Sequence, residues 1–178
     1  MKINVFLSKK KYMYQKDQTV YQFTITKAKG EEISLKQYQG KVLLVINIAT
    51  ECGHTHQLKK LEEIYQKYQH QVFEILAFPS NQFAQEPRDN SEISSYCQIN
   101  YGVTFPIFKK IEVIGNSAHP LFQFFAHKSL NGKFSAKPKW NFYKYIIGRD
   151  GKVIDYFISY TLPNKKRVIR KIEQALQS

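Results

Sequence analysis

Cysteine is scarce in this chain. Two in 178 residues, Cys52 and Cys97, are too few for the disulfide framework of a small secreted domain and too few for a structural zinc site. Long apolar runs are missing as well. "VLLVINIA" is interrupted by Asn47 and falls well short of the roughly 20 residues of a membrane-spanning helix. The opening "MKINVFLSKKKYMYQK" has an apolar patch followed by lysines, without the longer apolar region and small-residue cleavage site of a signal peptide. A reducing cytoplasm is therefore the expected location, where a pair of cysteines is more often catalytic than structural. Acidic residues are also few, 14 Asp+Glu against 27 Lys+Arg, for a formal charge of +13. The basic residues are scattered, with modest clusters at Lys9, Lys10, Lys11 and at Lys165, Lys166, Arg167. No zinc-finger spacing or RNA-recognition signature accompanies them, so no dedicated nucleic-acid binding is expected. The surplus reads as a solvated surface that attracts acidic partners, with peripheral contact to anionic membranes as one form of it.

What is present suffices for one well-cored domain. The apolar share is 43% and the aromatic share 15%, ample for a globular core at this length. Residues 1–16 read as an arm and 17–178 as a single domain without repeats. "TVYQFTI" and "EEISL" alternate like a short hairpin turning at Gly30. "KVLLVINIA" and "VFEILAFP" are continuous apolar runs typical of strands buried on both faces. Between them, "HQLKKLEEIYQKYQH" spaces Leu58, Leu61, Ile64, Tyr65 and Tyr68 as an amphipathic helix. "NSEISSYCQIN" has an N-cap candidate at Asn90 or Ser91 and sets Ile93, Tyr96 and Cys97 on one face. "VTFPIFKKIEV" reads as a third strand beginning near Pro106, itself a candidate cis proline. "HPLFQFFAHKS" reads as an aromatic helix, "YKYIIGRDGKVIDYFI" as a hairpin turning at Asp150-Gly151, and "NKKRVIRKIEQALQ" as a closing basic helix. Strands alternating with helices and ending in a hairpin imply a layered α/β sheet with mixed strand directions.

In "NIATECGHT" this reading puts Cys52 just past the carboxyl end of a central strand, in the loop leading into a helix, where sites gather in open α/β sheets. Helix N-terminal amides favour the thiolate, the nucleophilic form. Gly53 leaves the backbone room and the sulfur accessible. A buried, inert cysteine is the alternative, and the polar flanks Glu51 and His54 argue against it. "CGHTH" also offers a thiolate and two imidazoles, but no second cluster with ligand spacing completes a metal site. A protonated His54 would favour the thiolate and Glu51 would oppose it.

Five segments together resemble the glutathione peroxidase family in its cysteine form: "NIATECGHT", "LAFPSNQFAQEP", "YGVTFPIFKKIEV", "AHPLF" and "KWNFYKYIIGRDGKV". They keep the family's order from about residue 20 to residue 163. The resemblance implies an α/β thioredoxin-like fold, a central mixed sheet flanked by helices with an N-terminal β-hairpin. It implies reduction of hydrogen peroxide and organic or lipid hydroperoxides by Cys52, without a bound cofactor or metal, in the response to oxidative stress. By position, Gln85 of "QEP" and Trp140 and Asn141 of "KWNF" match the residues that surround the reactive sulfur. The family often has Cys where Ser80 stands and usually Lys or another non-acidic residue at Glu51. The loop between "NQF" and "QEP" is one residue shorter than usual, which makes Gln82 a rival to Gln85.

On its own residues, Cys97 shares an apolar face with Ile93 and Tyr96 and reads as core. In the resemblance it falls where thioredoxin-dependent members carry their resolving cysteine, which implies a Cys52–Cys97 disulfide recycled by thioredoxin. Direct reduction by glutathione, without a resolving step, and a peroxide sensor that passes its disulfide to a partner protein are the alternatives. Short loops suggest a monomer or weak dimer.

Overall fold

The structure, a computed structural model, describes residues 18–178; the arm expected over 1–16 lies outside the described residues. Strands β3 (Val42–Ile48) and β4 (Phe73–Pro79) are buried at every position. They pair in parallel from Val42↔Phe73 to Ile48↔Pro79, as unbroken apolar runs do when both faces are covered. β5 (Lys144–Ile147) runs antiparallel to β3, and β6 (Val153–Phe157) antiparallel to β5. The result is a four-stranded mixed sheet in the order β4-β3-β5-β6. The β5–β6 turn is made by Asp150-Gly151, with Gly151 at φ 76. A Cβ there would lie 2.5 Å from the Tyr21 ring, so the position needs glycine for space as well as for conformation.

Alternate residues of β3 face opposite layers. Val42, Leu44, Ile46 and Ile48 meet α1 (Gln57–Tyr68), α2 (Asn90–Tyr101) and α5 (Lys166–Gln177). Leu43 and Val45 meet an aromatic layer that includes Phe122, Phe124 and Phe125 of α3 (Pro120–Ala126). A one-turn helix, α4 (Lys128–Asn131), follows α3. Each aliphatic or phenyl side chain so buried contributes about 1.5–3 kcal/mol. The N-terminal hairpin, β1 (Thr24–Thr26) and β2 (Glu32–Ser34), forms a separate two-stranded ladder. It begins later than "TVYQFTI" suggests, because Val20–Gln22 form a 3-10 turn capped by Thr19.

Three local expectations are corrected. Residues 103–113 are not a strand. They touch β4 and the segment after β1 through single bridges, Ala77↔Ile107 and Lys27↔Phe108. Pro106 has no N–H to extend a ladder, and Lys109 N donates to Thr26 O instead, at 2.8 Å. No cis peptide bond occurs among the described residues, so Pro106 is trans. The cap of α2 is Asp89, one residue before Asn90: its carboxylate accepts from the amides of Ser91 and Glu92, while Glu92 reaches back to the Asp89 amide. A reciprocal box satisfies more orphan donors than a lone Asn or Ser could.

Candidate active site

β3 and β4 end, and β5 begins, at one edge of the sheet. Three loops meet there: 49–56 after β3, 80–89 after β4, and 140–143 before β5. Cys52 lies on the first, a free thiol 8% exposed. The amide of His54 donates to its Sγ at 3.4 Å, and an N–H aimed at sulfur favours negative charge there. Thr55 fixes the turn. Its Oγ1 accepts from Cys52 N at 3.1 Å and lies 2.7 Å from Cys52 O and 2.9 Å from Ala49 O, to which the hydroxyl donates. The α1 helix follows at Gln57, so Cys52 stands before a helix N-terminus as expected.

The His54 imidazole is pushed down by burial, then by the charges of Lys144 and His56. That shift disfavours the charged ring considered from sequence, while the His54 backbone amide reaches the sulfur directly. The ring packs edge-on against Tyr160, centroids 5.0 Å apart. His54 and His56 sit 6.4 Å apart, and the described residues contain no cluster of three metal-ligating side chains. Glu51 is paired with Arg88 at 3.0 Å, which offsets its charge beside the thiol.

Gln85 and Asn141 come together. Asn141 Nδ2 donates to Gln85 Oε1 at 3.1 Å, and Glu51 N donates to Gln85 O at 3.0 Å, tying the 80–89 loop to the cysteine loop. Asn141 is wholly buried and its Oδ1 has no partner, a polar atom left unmet beside the cluster. Gln82 is engaged elsewhere: its Oε1 accepts from Val113 N and Ile114 N, and its Nε2 donates to Ile114 O. The short loop therefore presents Gln85, not Gln82, to Asn141. Trp140 is 40% exposed and tilted against Phe83 at 5.4 Å, a rim position rather than a core one.

Several supporting residues were not singled out from sequence. Asn47 interrupts the apolar run because it holds the 140–143 loop: Nδ2 donates to Trp140 O at 3.2 Å, Oδ1 accepts from Tyr143 N at 2.9 Å, and Asn47 O accepts from Phe142 N at 2.7 Å. A lone amide in a doubly buried strand was the signal. Lys144, wholly buried, donates to Phe142 O at 2.7 Å, and Phe142 itself sits at φ 67. Burial pushes the Lys144 amine down to about 7. Glu86, also fully buried, accepts from Thr50 N and Oγ1, both at 2.7 Å. Burial raises its pKa, while the Thr50 hydrogen bonds oppose the rise.

Cys97 lies on the inner face of α2, wholly buried in the same hydrophobic cluster as Cys52. Its thiol is pushed up to about 12, first by burial and then by the charge of Glu86, with Arg88 opposing. While α2 is packed, Cys97 is a protonated and unreactive thiol.

A mixed sheet with helices on both faces and a cysteine at the strand-to-helix turn defines a thioredoxin-like thiol protein. Solved thiol:disulfide interchange proteins share the fold alone: one from Chlorobium tepidum matches with a TM-score of 0.61 at 17% identity, over 86% of this chain and 92% of that one. The glutathione peroxidase family model matches residues 20–126. A glutathione peroxidase of Lactococcus lactis is 49% identical over 146 residues, 82% of this chain and 92% of that protein. The glutathione peroxidase-like peroxiredoxin 2 of Saccharomyces cerevisiae is 43% identical, over 84% of this chain and 90% of its own. The crystal structure of Trgpx in apo form superposes with a TM-score of 0.71 at 37% identity, over 90% of this chain and 97% of that one. The chain belongs to the glutathione peroxidase family, and with it to the peroxidase class of oxidoreductases.

Proposed function

We propose that this chain is a thiol peroxidase in which Cys52 is the peroxidatic residue, Cys97 the resolving residue and thioredoxin the reductant. The observation that carries the reading is Cys52 at the strand-to-helix turn, its sulfur receiving the His54 amide at 3.4 Å. The Gln85–Asn141 amide pair is tied to the adjacent residue. In this reading the Cys52 thiolate attacks one oxygen of a hydroperoxide and the O–O bond breaks. The leaving oxygen takes a proton and departs as water or alcohol, and the sulfur is left as a sulfenic acid. Gln85, Asn141 and the Trp140 indole are the donors that would hold the peroxide and the charge developing on the leaving oxygen. The Cys97 thiol then attacks the Cys52 sulfur, the S–O bond breaks, water leaves, and thioredoxin reduces the disulfide by exchange.

Cys97 is wholly buried on a packed helix, so in this reading its turn of α2 opens to present the thiol to Cys52 with the Cα spacing of about 7 Å or less that a disulfide needs. The helix is rich in Ser and Asn and buries only Ile93 and Cys97, so local opening is inexpensive. The enzyme would work in a reducing compartment such as the cytoplasm. The charge of +13 favours acidic partners, anionic membrane surfaces among them. NADPH consumption with hydrogen peroxide tests the reading, comparing a thioredoxin system with a glutathione system. Turnover with thioredoxin that is lost in both Cys52→Ser and Cys97→Ser is the expected result. Turnover with glutathione alone, unaffected by Cys97→Ser, would contradict the resolving and reductant assignments.

A further inference from the structure

Beyond offsetting the Glu51 charge, Arg88 touches both halves of the proposed cycle with its side chain. Its Nη1 donates to Thr50 Oγ1 at 2.8 Å and to Glu51 Oε1 at 3.0 Å, on the loop that carries Cys52. Its guanidinium lies 4.4 Å over the ring of Tyr96, the neighbour of Cys97 on α2. The loop side of this contact is firm, because Thr50 is held by the buried Glu86 through both its amide and its hydroxyl.

The ends of α2 are fastened independently. At the start, the Asp89–Glu92 box is joined by Lys110, whose amide donates to Asn90 Oδ1 at 2.7 Å. Beyond the end, Thr104 N and Oγ1 donate to the Glu62 carboxylate at 2.8 and 2.6 Å. The turn between them is held sideways by the burial of Ile93 and Cys97 and by the Arg88–Tyr96 contact. Cys97 cannot leave the core without carrying Tyr96 off the guanidinium.

We infer that Arg88 is a positioning residue, a clasp between the Cys52 loop and the Tyr96–Cys97 turn that sets how fast oxidised Cys52 is resolved. The inference rests on the proposed roles of Cys52 and Cys97. Its consequence is a partition. Once the sulfenic acid has formed, attack by Cys97 yields the disulfide and water. A second hydroperoxide arriving first transfers an oxygen to the sulfenic sulfur, giving sulfinic acid and one more alcohol or water. A clasp that delays the opening of α2 lengthens the life of the sulfenic acid and favours the second outcome at high peroxide.

The test uses the full chain, rapid quenching with the sulfenic-acid trap dimedone, and intact mass. Arg88→Ala removes both contacts. It slows the first oxidation, because Glu51 is left unpaired beside the thiol, yet speeds disulfide formation from the sulfenic acid about two- to fivefold, the value of one cation–π contact made at this exposure. The fraction of sulfinic acid formed under excess peroxide falls accordingly. Tyr96→Leu removes the ring from the other side, leaves the rate of the first oxidation unchanged and gives the same acceleration of disulfide formation, to which the double variant adds little. Arg88→Lys, which keeps the ion pair to Glu51 without the planar face, falls between. Unchanged or slower disulfide formation in both Arg88→Ala and Tyr96→Leu overturns the clasp while leaving the peroxidase reading intact. Absence of any trapped sulfenic acid in Cys97→Ser overturns that reading, and the clasp with it.

Discussion

Replacing Lys144 by methionine should make the protein more stable and a poorer catalyst. Lys144 is wholly buried in β5, and among the described residues no carboxylate pairs with it; its amine donates only to Phe142 O. Burial lowers its pKa from 10.5 to about 7. In the unfolded chain the amine takes up its proton near pH 10.5, in the folded one only near 7. Stability is therefore highest above the unfolded value, falls by about 1.4 kcal/mol per unit as the pH drops, and levels off below 7. The full cost at pH 7 and below is on the order of 5 kcal/mol. Methionine fills nearly the same space without the charge but leaves the Phe142 carbonyl unmet, which costs about 1–3 kcal/mol. Urea unfolding of Lys144→Met should therefore show a gain of about 2–4 kcal/mol at pH 6.5. The gain should shrink by roughly 2–3 kcal/mol between pH 7 and 9, and the difference between the two proteins removes titrations they share. Catalysis should suffer, because the lysine, together with Asn47, holds Phe142 in its left-handed conformation directly after Trp140 and Asn141. Parallel stability curves for the two proteins across pH 6–9 would refute the argument from burial.

Other residues make separate predictions. Thr55→Ala loses the hydroxyl that joins Cys52 N to the Ala49 and Cys52 carbonyls; it should cost about 1–3 kcal/mol and slow Cys52 oxidation, whereas Thr55→Ser restores both in denaturation and stopped-flow assays. Gln85→Ala should slow peroxide consumption by about 10- to 100-fold with little loss of stability. Gln82→Ala should do the reverse, because Gln82 satisfies the Val113 and Ile114 amides; equal kinetic effects would mean that the two glutamines are misassigned. Amide hydrogen exchange over residues 90–101 should rise sharply on oxidation while β3 stays protected, and equal protection in both redox states would count against opening of α2.

Sequence carried the central sheet well, because β3 and β4 are apolar at nearly every position and Asp150-Gly151 marks its turn unambiguously. It misjudged residues 103–113, where apolar and β-branched residues suggest a strand. There the chain divides its hydrogen bonds between Pro79 and Ala77 of β4 on one side and Thr26 of β1 on the other, a tertiary choice no local pattern reveals. Cys52 could be proposed as a candidate from its own surroundings. The other candidate residues needed the family resemblance, because a single Trp or Asn has no periodicity to betray it. What no pattern disclosed were the supports Thr55 beneath the turn, Lys144 behind the 140–143 loop, and Arg88 over Tyr96; Asn47 showed only as a break in an apolar run. Thr55 and Lys144 act through buried polar contacts and Arg88 through residues 37 and 38 positions away, and alternation along β5 would predict an apolar residue where Lys144 stands.

The central claim is that peroxide oxygen passes to the sulfur of Cys52 and is then displaced by Cys97. Intact mass after one equivalent of hydrogen peroxide tests it most directly. Wild type should lose about 2 Da as the disulfide closes, Cys97→Ser should gain about 16 Da as a sulfenic acid, and Cys52→Ser should not change. A Cys52→Ser protein that is oxidised as fast as wild type, or a wild type that gains oxygen and keeps it, would contradict the account.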